Sequence, residues 1–167
     1  MNTLELIKCI KSDLRSKRIF KGVFARDTLP CQKIISRSPS AFVFNTDLAR
    51  NEGEHWCVIY LDGKGFAEYF DSFGLPPRHK EVIEFIERNS RSYRYNDKHI
   101  QNLLSFACGL YVIHYVFMKS RGATMNVALK PFHPLKPWTN DRVVYNLVRH
   151  LLCKVKVYYK SSGALVL

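Results

Sequence analysis

The sequence predicts an α+β fold: a mixed or antiparallel central sheet packed against a buried central helix that carries a candidate nucleophile. Three observations predict it. Residues 103–119 are almost wholly apolar, and a segment apolar on every face reads as a helix buried on all sides. Two apolar stretches, 56–61 and 66–70, flank Asp62-Gly-Lys-Gly, a strong hairpin signal. Helical and strand-like stretches alternate irregularly, and the clear hairpin is antiparallel, so a regular parallel βαβ array is not expected.

The elements follow in order. Residues 3–20 read as an amphipathic helix with Ile7, Ile10 and Leu14 on one face. Lys8, Lys11, Arg15 and Arg18 run beside that face at steps of three, four and three. This is either a solvated surface or a basic stripe that lies along a phosphate backbone. Residues 21–40 read as irregular, with Gly22, Pro30 and Pro39 as breakers. Residues 41–44 form a short strand and 51–54 a turn. The hairpin strands 56–61 and 66–70 are too apolar for a half-exposed sheet, so they lie at its centre, covered on both faces. Asp71-Ser-Phe-Gly breaks the second of them. Residues 78–89 form a helix with Val82, Ile83, Phe85 and Ile86 inward, and 92–96 a short strand. A loop over 97–105 carries Gln101 and delivers the chain into the central helix, with Cys108 in its first turn. Residues 121–137, with three prolines, read as irregular. Thr139-Asn-Asp forms a polar cap cluster ahead of a core-facing helix from Val143. Residues 154–159 suit an edge strand and 161–167 a tail.

Length and composition bound the rest. At 167 residues the chain reads as one domain, residues 1–167. Hydrophobic residues at 47% supply an ample core. Twenty-six Lys and Arg against 14 Asp and Glu give a net charge of +12, which points to a polyanionic partner, most simply nucleic acid. The five cysteines are odd in number and widely spaced, with no C-x-x-C pair. This excludes a disulfide framework and points to a reducing compartment. No secretory signal is expected at the N-terminus. The longest apolar run, 110–118, is interrupted by His114 and is too short to cross a bilayer, so no membrane partner is expected.

Cys108 lies between Ala107 and Gly109. At a helix start, unpaired N–H groups and the positive dipole end favour an anion, which lowers a thiol pKa. Gly109 leaves room for a substrate backbone. A buried, inert cysteine is the commoner fate of a free Cys, and other residues decide against it. A thiol nucleophile needs a base, and the base needs a third group to orient it. His55 stands at the mouth of one hairpin strand and Asp71 at the end of the other, with the turn roughly midway. Antiparallel pairing makes them neighbours at one sheet edge. An oxyanion needs donors: the backbone N–H of Cys108 is one, and a side-chain amide just upstream, Gln101 or Asn102, is the natural second. Cys57, two residues from His55 on a strand, shares its face. No second pair at ligand spacing exists, so neither metal nor small-molecule cofactor is expected. His114 reads as a core histidine, and His99, His133 and His150 as surface residues. Arg142 and Arg149 share a helix face, with Lys154, Lys156 and Lys160 beyond. With the N-terminal stripe they outline a track for nucleic acid.

The set Phe42-Val-Phe-Asn-Thr, Gly53-Glu-His-Trp, Asp71-Ser-Phe-Gly, Gln101 and Ala107-Cys-Gly-Leu-Tyr resembles the adenovirus-type cysteine proteases, the adenain family, over roughly residues 40–120. The resemblance implies a viral maturation endopeptidase. Cys108 is then nucleophile, His55 base, Asp71 its orienting acid and Gln101 the oxyanion donor. Trp56 packs near the imidazolium as a cation–π support. Relatives of this kind cut virion precursor proteins at small-residue, Gly-containing sites. They act in the virion and infected nucleus, stimulated by viral DNA and a short viral peptide. Two departures stand out. The acid is Asp71, where mammalian adenovirus enzymes usually carry Glu. An Asp-Ser pair marks the related ubiquitin-like-modifier deconjugating proteases, which makes deconjugation the alternative. No cysteine lies between Cys57 and Cys108, so a disulfide-tethered activating peptide is not expected there. A basic DNA-binding virion protein with an inactive protease fold is the alternative of another class.

Overall fold

The chain opens on two short helices where the periodicity predicts one. The structure is a computed structural model and describes residues 1–31, 34 and 37–154. Helix α1, Thr3–Lys11, starts at a capping box in which Asn2 and Glu5 satisfy each other's backbone N–H. It ends at Ser12, whose hydroxyl donates to the Cys9 carbonyl at 2.7 Å. Asp13 then caps α2, Leu14–Ile19, accepting from the Ser16 backbone N–H at 2.9 Å. The Ser-Asp pair inside the apolar period is a helix-start signal, and it wins over the continuing pattern. Leu14 consequently points outward, 75% exposed, and the predicted apolar face stops at Ile10.

Strand β1, Phe20–Ala25, occupies the first part of the stretch predicted as irregular. The pairing register shifts between Phe20 and Gly22, where Gly22 adopts φ 147°. A glycine inside a strand reads as a breaker, but here it forms an irregularity that the strand survives. A single 3₁₀ turn, Arg26–Thr28, follows.

The remaining strands are β2 (Ser40–Asn45), β3 (Trp56–Leu61), β4 (Phe66–Phe70) and β5 (Ser92–Tyr95). They lie in chain order across one sheet. The inner pairs are antiparallel, whereas β1 runs parallel to β2 and β5 parallel to β4. The sheet is mixed, one of the two arrangements the sequence leaves open. Strand alternation divides the core in two. Val43, Val58, Tyr60 and Phe70 face helix α4, Cys108–Lys119. Phe42, Phe44, Ile59 and Tyr69 face Val82, Phe85 and Ile86 of α3, Lys80–Asn89. Both faces are covered, which is why the hairpin strands carry no polar face. Each large side chain buried here contributes about 1.5–3 kcal/mol. Helix α4 is buried from Cys108 through Val116, as its all-round apolar sequence requires.

One charged cluster sits between sheet and helix. Glu68 of β4, 4% exposed in its side chain, pairs with Lys119 at 2.8 Å and Arg94 at 2.5 Å. It also accepts from the Tyr115 hydroxyl at 2.6 Å.

Helix α5, Met125–Leu129, capped by Thr124, lies inside the second stretch predicted as irregular. Helix α6 spans Pro137–Lys154 and begins ahead of the expected cap cluster. Proline suits the first helical position, where its missing N–H costs nothing. Thr139 and Asn140 therefore fall in the first turn, and Asp141 follows it. Asn140 is buried, and its amide donates to the carbonyls of Ile100 and His133, both at 2.9 Å. Lys154 closes α6; the strand expected over 154–159 and the tail over 161–167 otherwise lie outside the described residues, as do Lys156 and Lys160.

Candidate active site

The β3–β4 hairpin sets the site. Its register pairs Val58 with Phe70 and Leu61 with Ala67. His55, just before β3, therefore meets Asp71, just after β4. His55 Nε2 lies 2.7 Å from Asp71 Oδ1, both side chains nearly buried. The same carboxylate oxygen accepts from the Phe73 backbone N–H at 2.8 Å. Asn96 clamps the Asp71 backbone, accepting from its N–H at 2.8 Å and donating to its carbonyl at 2.6 Å. Phe73 stacks on the imidazole, ring centroids 4.5 Å apart and planes at 21°. Edge and face of the His55 ring are both held.

Cys108 is the first residue of α4, after Ala107, which offers no side-chain cap. The first N–H groups of the helix are thus left without intrahelical partners. With Nε2 given to Asp71, Nδ1 is the His55 nitrogen left for Cys108. Burial pushes the Cys108 thiol up. The hydrogen bond and positive charge of His55, with the backbone N–H groups of Trp56 and Gly109, outweigh it and hold the thiol below its ordinary value. Burial pulls His55 down, but hydrogen bonds to Asp71, Cys108 and Cys57 push it up to about 12. Both directions favour a thiolate beside an imidazolium.

Gln101 is buried on the loop ahead of α4. Backbone N–H groups of Ile100 and Gln101 donate to the Ser72 carbonyl at 3.0 and 3.1 Å, tying this loop to the residue after Asp71. The Ser72 hydroxyl donates to Gln101 Oε1 at 2.6 Å, and Gln101 Nε2 donates to the Ser105 carbonyl at 2.8 Å. These bonds settle which end of the amide is nitrogen, and leave its second N–H proton for a ligand. Asn102 instead uses its carbonyl oxygen on the Leu104 N–H at 3.1 Å, inside its own turn.

Two expectations change. The ring stacked on His55 is Phe73; Trp56 turns toward α4, and its indole N–H donates to the Met1 carbonyl at 3.2 Å. The space beside Gly109 is also not open. Met1 lies so close that a Cβ at Gly109 would come within 3.1 Å of both Met1 Cβ and Sδ. His114 is buried, its Nε2 2.9 Å from the Ala128 carbonyl, while His133 and His150 are exposed, as expected. His99 departs from expectation: it is half-buried, its Nε2 2.6 Å from the Gln101 carbonyl.

Four supporting residues were not singled out by their sequence. Ser72 and Phe73 sit inside the Asp-Ser-Phe-Gly motif and so lay within reach of a motif argument. Asn96 had no local signal. The sequence offers Cys57 only as a metal candidate. It is fully buried, and the Tyr69 hydroxyl donates to its sulfur at 3.5 Å. Donor atoms of His55, Cys57 and Asp71 lie within 4.8 Å of one another. Such a set can hold a soft divalent ion only with Cys57 as thiolate, and burial pushes that thiol up.

The six basic residues named for nucleic acid are all exposed. Lys8 and Lys11 lie on α1, Arg15 and Arg18 on α2, and Arg142 and Arg149 on α6. The break at Ser12–Asp13 divides the N-terminal stripe between two helices.

This architecture is a cysteine protease fold of the SUMO-protease-like kind. Two solved structures carry the likeness. The ASFV pS273R protease superposes with a TM-score of 0.53 and 23% identity, over 68% of this chain and 44% of its own. The SUMO protease Ulp1, solved with its catalytic cysteine oxidized to a sulfenic acid, gives a TM-score of 0.51 and 13% identity, over 95% of this chain and 79% of its own. The chain thus spans less than half the length of the ASFV protease. No protein-family model and no curated protein matches the sequence.

Proposed function

We propose that this chain is a cysteine endopeptidase with Cys108 as nucleophile, His55 as base and acid, Asp71 as the orienting carboxylate and Gln101 as oxyanion donor. One observation carries the reading: His55 is bonded to Asp71 through Nε2 at 2.7 Å while its other nitrogen is left for a thiol at a helix start. The Cys108 thiolate attacks the scissile carbonyl, and the carbonyl π electrons move to oxygen. The oxyanion takes hydrogen bonds from the Cys108 N–H and from Gln101 Nε2. As the C–N bond breaks, the His55 imidazolium gives its Nδ1 proton to the leaving amine. Neutral His55 then takes a proton from water, whose oxygen attacks the thioester. The acid product leaves and the thiolate–imidazolium pair is restored.

Within that chemistry the finer reading is adenain-like maturation: cleavage of virion precursor proteins at Gly-containing sites, in the virion and host nucleus, stimulated by DNA and a viral peptide. That peptide would not be disulfide-tethered between Cys57 and Cys108. The likeness in fold to the ASFV protease and the net charge of +12 support it. The likeness to Ulp1 over 95% of this chain supports the second reading, removal of a ubiquitin-like modifier.

The test is intact mass after reaction with an electrophilic peptide ending in apolar-X-Gly-X, with and without duplex DNA. The expected result is one adduct at Cys108, absent in Cys108→Ala, slowed in His55→Ala and faster with DNA. Cys31 and Cys153 are exposed and provide the internal control. Adducts confined to those two thiols would refute the nucleophile. Competition by a whole folded modifier but not by short peptide would favour deconjugation.

A further inference from the structure

At the end of the β3–β4 hairpin away from His55, a cavity of about 770 Å³ opens between the hairpin turn, the C-terminal end of α3 and Arg37, Ser38 and Ser40. Four cationic residues line it, Arg37, Lys64, Arg88 and Arg91, against two acidic ones, Asp62 and Glu87. We propose that this cavity is a binding site for phosphate-rich anions, separate from the active site.

Ion pairing does not account for these cations. None of the four forms an ion pair with a described residue. Asp62 is committed to its own turn, where Oδ1 accepts from the backbone N–H groups of Lys64 at 2.7 Å and Phe66 at 3.0 Å. Cations gather at helix C-termini to satisfy bare carbonyls, but α3 caps itself. The Ser90 N–H and hydroxyl both donate to the Ile86 carbonyl, and Asn89 Nδ2 donates to the Phe85 carbonyl. The Arg88 Nε–H has no hydrogen-bond partner among the described residues. Leaving such a donor unmet is costly, and Arg88 lines this cavity.

The frame is also prearranged. Gly63 sits so close to the neighbouring segment that a Cβ would lie 2.5 Å from the Arg37 carbonyl. A Cβ on Gly65 would lie 2.9 Å from Arg91 Nε, and Arg91 Nη2 donates to the Lys64 carbonyl at 3.3 Å. The turn thereby packs on the Arg37 backbone and holds the Arg91 guanidinium beside Lys64. Guanidinium forks match the oxygens of phosphate, and several cations around one cavity favour a multiply charged ligand over a single carboxylate. The volume exceeds one phosphate and suits either a short polyphosphate or a stretch of sugar-phosphate backbone.

Isothermal titration of the full chain with tripolyphosphate tests this, with inorganic phosphate and a short DNA duplex as parallel probes. Tripolyphosphate is expected to bind. Its affinity should fall at least tenfold in the double variant Lys64→Gln, Arg88→Gln and stay within twofold in Arg142→Gln, Arg149→Gln. The single variant Lys64→Gln, on an exposed turn, keeps the test readable if the Arg88 change disturbs folding; it should weaken binding several-fold. Duplex DNA that displaces tripolyphosphate identifies nucleic acid as the source of the phosphates; tripolyphosphate binding that DNA leaves untouched identifies a small polyphosphate. No heat of binding at millimolar tripolyphosphate, or equal losses in both double variants, would overturn the site.

Discussion

At the scale of single residues, the site is a problem of where one proton rests. Asp71 raises the His55 pKa, and His55 lowers that of Cys108. On the proposed mechanism, activity should therefore rise with pH through a Cys108 value below 9 and stay level until His55 loses its proton far into the alkaline range. Asp71→Asn removes the anion that holds His55 charged. The alkaline limb of kcat/KM should then move to lower pH, and kcat should fall by about 10⁴-fold, as for other triads that lose their acid. An unmoved alkaline limb would mean that Asp71 does not act on the imidazole. Gln101→Ala should lower kcat by about 10²–10³ with little change in KM, because the oxyanion exists only along the reaction path. A change confined to KM in steady-state assays would assign Gln101 to ground-state binding instead.

At the scale of elements, the Glu68 cluster joins β4, β5 and α4. Burial raises the Glu68 pKa, but bonds from Lys119, Tyr115 and Arg94 outweigh it, and the carboxyl is held below its ordinary value. A depressed carboxylate contributes stability above its unfolded pKa of 4.5, lost as pH falls through the folded value. Glu68→Ala strands Lys119, 7% exposed, without its anion. Urea unfolding should show a loss of about 3–5 kcal/mol at neutral pH, shrinking in acid. Asp13→Ala, which removes the cap between α1 and α2, should cost about 1 kcal/mol in the same measurement. What was legible at this scale follows from range. The hairpin, and with it the meeting of His55 and Asp71, could be read because pattern and turn lie within a few residues. Helix α4 was legible as an apolar run, but its start was not marked by that run, which also takes in Leu103, Leu104 and Phe106, exposed residues ahead of the helix. Strand β1 was hidden by Gly22, whose chemistry is the same in a breaker and in a strand irregularity. Asn96 was hidden because it meets Asp71 from 25 residues away with no periodic signal. The Asp13 cap was present in the sequence, but the basic stripe running through it concealed the break.

At the scale of the whole molecule, charge and access dominate. A net charge of +12 on 167 residues gives nucleic acid binding a direct physical handle. Duplex affinity should fall linearly in log–log terms with salt, at a slope of about −0.9 per phosphate contact neutralised. A flat dependence between 50 and 200 mM salt (on the order of the range where counterion release is felt) would exclude a charge-driven interaction. Met1 packs beside the site: its carbonyl accepts from the Trp56 indole, and its side chain lies against Gly109, next to Cys108. This has a practical side for anyone preparing the protein. A purification tag joined ahead of Met1 would emerge beside the nucleophile, so tagged and untagged preparations should differ in the rate at which a thiol reagent labels Cys108.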